Sequence, residues 1–179
     1  MFYVSEVQTD RPSQIKTLLQ EKVYAALLRL KIPFERVGTD VAVTMEDCAA
    51  IDEKLDMKMV KTLFLCTRHQ TAFYLFITCD GKPFRSKEFS AALGVPRLSF
   101  APVEKMNEIL GTEIGAATVF SALLDSASNV QLVFDRDVLK EEYYGCSAGT
   151  TTGYMKIRTK DILNTFIPST GHSVLVAEV

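Results

Sequence analysis

The sequence predicts an α+β fold: a central mixed, mostly antiparallel sheet surrounded by helices, formed by residues 1–179 as a single domain. Three observations predict it. Residues 59–66 and 71–78 are two apolar, β-branched and aromatic runs separated by a short polar turn, which reads as a hairpin covered on both faces. Stretches with apolar residues at three- and four-residue steps flank it and read as amphipathic helices. Strands and helices then follow one another without a regular βα alternation, and no internal repeat, linker or low-complexity tract interrupts them.

In chain order, Ile15, Leu18, Leu19, Val23, Ala26, Leu27 and Leu30 predict a helix over 12–31, from which Pro33 forces the chain. Residues 34–37 read as a strand before a Gly38-Thr39-Asp40 turn. Thr44 and Asp47 have capping-box spacing, with Met45, Cys48, Ile51 and Leu55 as the buried stripe of a second helix. After the hairpin, Ser86 caps a short helix ending at Gly94, 97–100 is a strand, and Pro102 opens a helix stopped by Gly111. Residues 115–124 place small residues before an apolar run, which permits close backbone approach. A strand over 130–134 ends at Asp135-Arg136-Asp137, read as a solvated turn. Residues 145–153 read as a second small-residue loop, Thr159 as the cap of a last helix, and 174–177 as a closing strand.

Composition narrows the function. An apolar fraction of 47%, a charged fraction of 23% and a net charge of −2 describe a soluble globular protein whose overall field slightly repels phosphate. An RNA partner must therefore be met by a local patch or by its end. No run approaches the roughly 18 apolar residues of a membrane span, and the first residues lack the basic-then-apolar pattern of a signal peptide, so a cytoplasmic location and no membrane partner are expected. Cys48, Cys66, Cys79 and Cys146 have neither CxxC spacing nor a histidine cluster, which predicts reduced thiols, no zinc and no cofactor.

Three residues raise chemical questions. Lys61 is one charge beside an apolar strand, and it either extends its stem to water or meets a partner. Gly115 is a plain turn glycine or a point of close approach. Cys146 needs a base to act as a nucleophile, and the chain's two histidines, His69 and His172, fall in a hairpin turn and a C-terminal surface loop, so a packing or pocket-lining role is expected. The carboxylates show no paired spacing for acid–base work.

Lys61-Thr62-Leu63-Phe64-Leu65, a tyrosine-bearing strand, Arg97-Leu98-Ser99-Phe100-Ala101 and the stretch from Gly115 to Asp125 occur in an order that resembles the YbaK/prolyl-tRNA-synthetase-associated family. The resemblance spans about 30–166 and is nearest the freestanding prolyl-tRNA editing proteins of the PrdX and alanyl-prolyl-tRNA deacylase type. It implies hydrolysis of the ester joining a wrong amino acid, such as alanine, to the 3′ end of proline tRNA. The implied partners are the mischarged acceptor end and prolyl-tRNA synthetase.

The same resemblance assigns residues. Lys61 matches the family lysine that contacts the terminal adenosine or the substrate backbone, and Thr62 stands where relatives have asparagine. Gly115 matches the start of the Gly-x-x-x-Pro loop, whose backbone amides line the pocket, and this carries Ala116, Ala117 and Thr118 with it; Val119 replaces the proline. Around 145–153 the family's His-Pro pair and Asn-Thr-Ala-Thr run are replaced, leaving Cys146, Ser147, Thr150 and Thr151 to line the pocket and supply hydroxyls. Water activated by a ribose hydroxyl would need no protein base. Two other readings stand beside this one: a binding module that keeps the fold and senses charged tRNA or amino acid, and a small-ester or thioester hydrolase using Cys146.

Overall fold

The computed structural model describes residues 1–179. The predicted hairpin organises it. β2 (Val60–Cys66) and β3 (Phe73–Cys79) pair antiparallel, from Val60 opposite Cys79 to Cys66 opposite Phe73. On the β2 side the sheet gains the short antiparallel β4 (Ser99–Phe100). On the β3 side it gains β5 (Val130–Asp135) and β8 (Val174–Ala177), both parallel, giving five strands in the order β4-β2-β3-β5-β8. The remaining strands form a second, antiparallel sheet of β1 (Glu35–Gly38), β7 (Gly153–Arg158) and β6 (Tyr143–Thr150). The strands therefore occupy two sheets, joined where Met59 bridges Gly145.

β6 corrects the expectation of a loop at 145–153. Its small residues serve packing: a Cβ on Gly145 would collide with the Met57 side chain and lie 3.1 Å from the Lys58 carbonyl, and one on Gly149 would lie 3.1 Å from Leu19. A register shift between Ser147 and Thr150 bends the strand at Gly149, which holds φ +89°.

α1 (Leu18–Arg29) starts later than its periodicity predicts, because the Thr17 hydroxyl accepts from the Gln20 amide and fixes the first turn there. Leu19, Val23, Tyr24 and Leu27 pack α1 and the second sheet onto one face of the first, with Phe64, Leu75, Ile77 and Phe134 beneath them. Leu65, Phe76, Val133, Phe89 and Leu98 cover the other face, so the hairpin is buried on both sides as its continuous apolar pattern predicts. α2 (Met45–Leu55) carries the full Thr44–Asp47 capping box and buries Ile51 and Leu55, but Met45 in its first turn is exposed.

Four further expectations change. Ser86 is the first residue of α3 (Ser86–Leu93) and gives its hydroxyl hydrogen to the Leu98 carbonyl instead of capping the helix. Thr159 likewise begins α6 (Thr159–Asp161) with its hydroxyl buried and unpaired. Asp135 is not in a solvated turn: it is 1% exposed, accepts from Thr78 Oγ1 at 2.6 Å and Lys82 Nζ at 2.9 Å, and caps α5 (Arg136–Leu139). His172 is half-buried, its ring nitrogens 2.9 Å from the Ala127 carbonyl and the Thr170 hydroxyl.

Candidate active site

The site begins with an incomplete strand edge. β4 covers β2 only at Leu65 and Cys66, with one further bond from the Ala101 amide to the Phe64 carbonyl. Backbone groups of alternate residues point the same way, so Thr62 turns its N–H and C=O to that same edge, where no strand covers it. The turn at 114–117 and the start of β6 close over the gap. They leave a cavity of about 390 Å³ that brings Lys61, Thr62, Gly115, Ala117, Cys146 and Ser147 together from three distant parts of the chain.

Lys61 is the single charged side chain in the lining, which holds no carboxylate and no imidazole. It borders the cavity but is turned away from it. Val60 and Phe64 face the main core and Leu63 and Leu65 the opposite one, so alternation places Lys61 with Leu63 and Leu65. There its ammonium donates to the Lys82 carbonyl, and Lys82 is itself held by Asp135 and by Asp137 at 2.8 Å. Thr62 faces the Gly115 side.

At Gly115 the chain adopts φ +86°, a region that penalises any Cβ. The Ala116 amide donates to Glu113 at 3.1 Å, closing the turn, whereas the Gly115 and Ala117 amides make no hydrogen bond within the protein. Two residues of the cavity wall thus carry backbone donors without a partner in the protein. Behind them Thr118 and Val119 are fully buried, and Thr118 Oγ1 accepts from the Phe120 amide to open a 3₁₀ turn, Val119–Leu123. Burial of Val119 anchors the loop. Ala116 and Thr118 do not line the cavity, because both side chains point into the core.

β6 supplies thiol and hydroxyl groups that are already committed. Burial pushes the Cys146 thiol up to about 12, against a smaller downward pull from its hydrogen bond with Thr118. It is a neutral packing group, as its surroundings lack a base. Ser147 gives its hydroxyl hydrogen to the Thr150 carbonyl at 2.8 Å and accepts from the Gly149 amide at 3.1 Å, locking the bulge. Thr150 is buried and Thr151 pairs with Glu113 at 3.3 Å; neither lines the cavity, because the bend at Gly149 carries them past it.

The walls also contain Phe100, Met106, Ile114 and Tyr154, which sequence reasoning did not select. Phe100 belongs to the Arg97-Leu98-Ser99-Phe100-Ala101 segment, but its exposure at a rim follows from the shortness of β4. Chemically the arrangement offers two fixed N–H donors, an open strand edge and apolar walls, with no group to act as a protein base.

The aminoacyl-tRNA editing domain model matches residues 39–165. The prolyl-tRNA editing protein ProX of Acetoanaerobium sticklandii is 30% identical over 121 residues, which cover 67% of this chain and 73% of that protein. Among solved structures, a candidate trans-editing enzyme for prolyl-tRNA synthetase superposes with a TM-score of 0.66 at 16% identity, covering 92% of this chain and 99% of that one. The hypothetical protein APE2540 gives 0.64 at 16%, covering 87% and 98%. These two share the fold. With the matched segment containing Lys61, Gly115 and Cys146, the chain belongs to the aminoacyl-tRNA editing domain family and is an aminoacyl-tRNA hydrolase.

Proposed function

We propose that the chain, acting over residues 1–179 as one unit in the cytoplasm, removes a small amino acid, alanine foremost, from proline tRNA mischarged by prolyl-tRNA synthetase. The observation that carries this reading is the pair of amides without a protein partner, Gly115 and Ala117, on the wall of a cavity whose lining holds no carboxylate and no imidazole. Water attacks the ester carbonyl, and the oxygen that gains charge is met by those amides without reorganisation, each donor contributing about 3 kcal/mol. The carbonyl then re-forms, the bond to the ribose oxygen breaks, that oxygen takes a proton and the free amino acid leaves. A neighbouring ribose hydroxyl, rather than a side chain, relays the proton from water. Thr62, at the open edge, holds the aminoacyl group. Lys61 leaves the Lys82 carbonyl by rotating about its four-carbon stem and meets the anionic acceptor end. Apolar walls admit a small side chain and refuse a larger one by volume.

The test is deacylation of purified alanyl- and prolyl-charged proline tRNA and of alanyl-charged alanine tRNA, by wild type and Lys61→Ala. Turnover of the first alone, lowered in the variant, is expected. Equal turnover of all three removes the proposed specificity. One observation favours a second reading, a sensor of charged tRNA: the Lys61 ammonium is already occupied by Lys82. That reading predicts tight binding of charged tRNA with its ester intact.

A further inference from the structure

Ester hydrolysis does not account for the rim of the cavity. Phe100 and Ile114 line it and are 62% and 65% exposed. Phe100 is held from behind: its ring meets Phe84 at 5.6 Å and 61°, and Phe84 meets the buried Phe89 at 5.6 Å. An aromatic ring that is both fixed and wet is a stacking surface. The ground beside it is basic. Ser86 ties the start of α3 to the Leu98 carbonyl, so Lys87 and Arg97 flank the strand that carries Phe100. Both are exposed and neither has a carboxylate within 4.0 Å; Glu88, beside Lys87, is paired with Arg85 at 3.2 Å, and Glu104, the acid nearest Phe100 in sequence, stands exposed on the helix that follows. In a chain of net charge −2, cations without partners next to a fixed aromatic form the local footprint that a single-stranded nucleic acid requires.

We propose that Phe100 is the stacking platform for an unpaired base at the RNA 3′ end, with Lys87 and Arg97 meeting the phosphates that lead to it. This rests on the reading that the acceptor end enters the cavity. Stacking tolerates any base, so Phe100 positions the end while the cavity judges the amino acid.

The probe is an uncharged RNA hairpin with a single-stranded 3′ tail whose last base is 2-aminopurine. Wild type quenches its fluorescence on binding. Phe100→Ala abolishes quenching and weakens binding about tenfold or more. Phe100→Trp retains both, and Phe100→Leu, apolar but without a ring face, behaves like the alanine variant. Exposure of the ring keeps all three folded, as their melting temperatures should verify. The Lys87→Ala/Arg97→Ala pair flattens the log–log salt dependence by about 1.4, roughly 0.7 for each phosphate. Unaltered binding and quenching in Phe100→Ala overturns the proposal, as does a leucine variant equal to the tryptophan one. RNA binding unchanged in Phe100→Ala while capture by prolyl-tRNA synthetase is lost assigns the rim to protein instead. Quenching by wild type without deacylation of any charged tRNA refutes the deacylase reading and leaves the stacking role standing.

Discussion

Gly115 is the residue on which the proposed chemistry turns. An alanine there finds open space, its nearest neighbour being a Thr151 methyl at 3.9 Å, but it must adopt φ +86°. Relief of about 1–2 kcal/mol of strain rotates the amides away from the reacting oxygen. Gly115→Ala should therefore remain folded and lose about 10²–10³ in single-turnover rate. Cys146→Ala should turn over close to wild type, since a thiol held at about 12 is protonated at any working pH. Loss of activity in that variant would revive covalent catalysis. That Gly115 and Lys61 border one cavity was legible in the sequence, but the direction of Lys61 was not. Which face of a strand meets which core depends on what packs on each side, and that is decided by residues such as Phe89 and Tyr144, far away in the chain.

At the scale of elements, β6 explains the main misreading. Gly145, Ser147, Ala148 and Gly149 have little strand propensity, and their burial, with Gly145 against Met57 and Lys58 and Gly149 against Leu19, overrides it. Gly145→Ala should cost about 1–3 kcal/mol in urea unfolding, and Met57→Ala in the same chain should recover part of that loss. The junction of α2 with β2 is pH-sensitive. Burial raises Asp52 to about 6, although the Met59 amide donating to it at 3.1 Å pulls the other way. The folded state thus holds this proton more tightly than the unfolded chain, whose value is about 4. Its stabilising effect is complete below pH 4 and declines until pH passes about 6. Asp52→Asn keeps the acceptor and removes the charge, so it should raise the melting temperature at pH 7.5 and change little at pH 4. The capping box of α2, by contrast, was readable at once, because its partners lie three residues apart.

For the whole molecule, the fold class follows from local pattern, whereas the division into two sheets does not, since pairing across 100 residues leaves no periodic trace. Asp135 is another such case: it reads as a solvent turn and is instead the buried tie between β3, β5 and the Lys82 turn on which Lys61 rests. Asp135→Ala leaves Thr78 without its acceptor and Lys82 with Asp137 alone, and should cost about 3 kcal/mol, the low end for a broken buried pair because Lys82 is 27% exposed and keeps its second carboxylate. The Met59–Gly145 bridge, finally, joins the sheets at one point beside the cavity. An acceptor end lodged in the slot would therefore touch both sheets beside their one backbone link. Amide exchange across residues 143–147 should then slow when RNA binds.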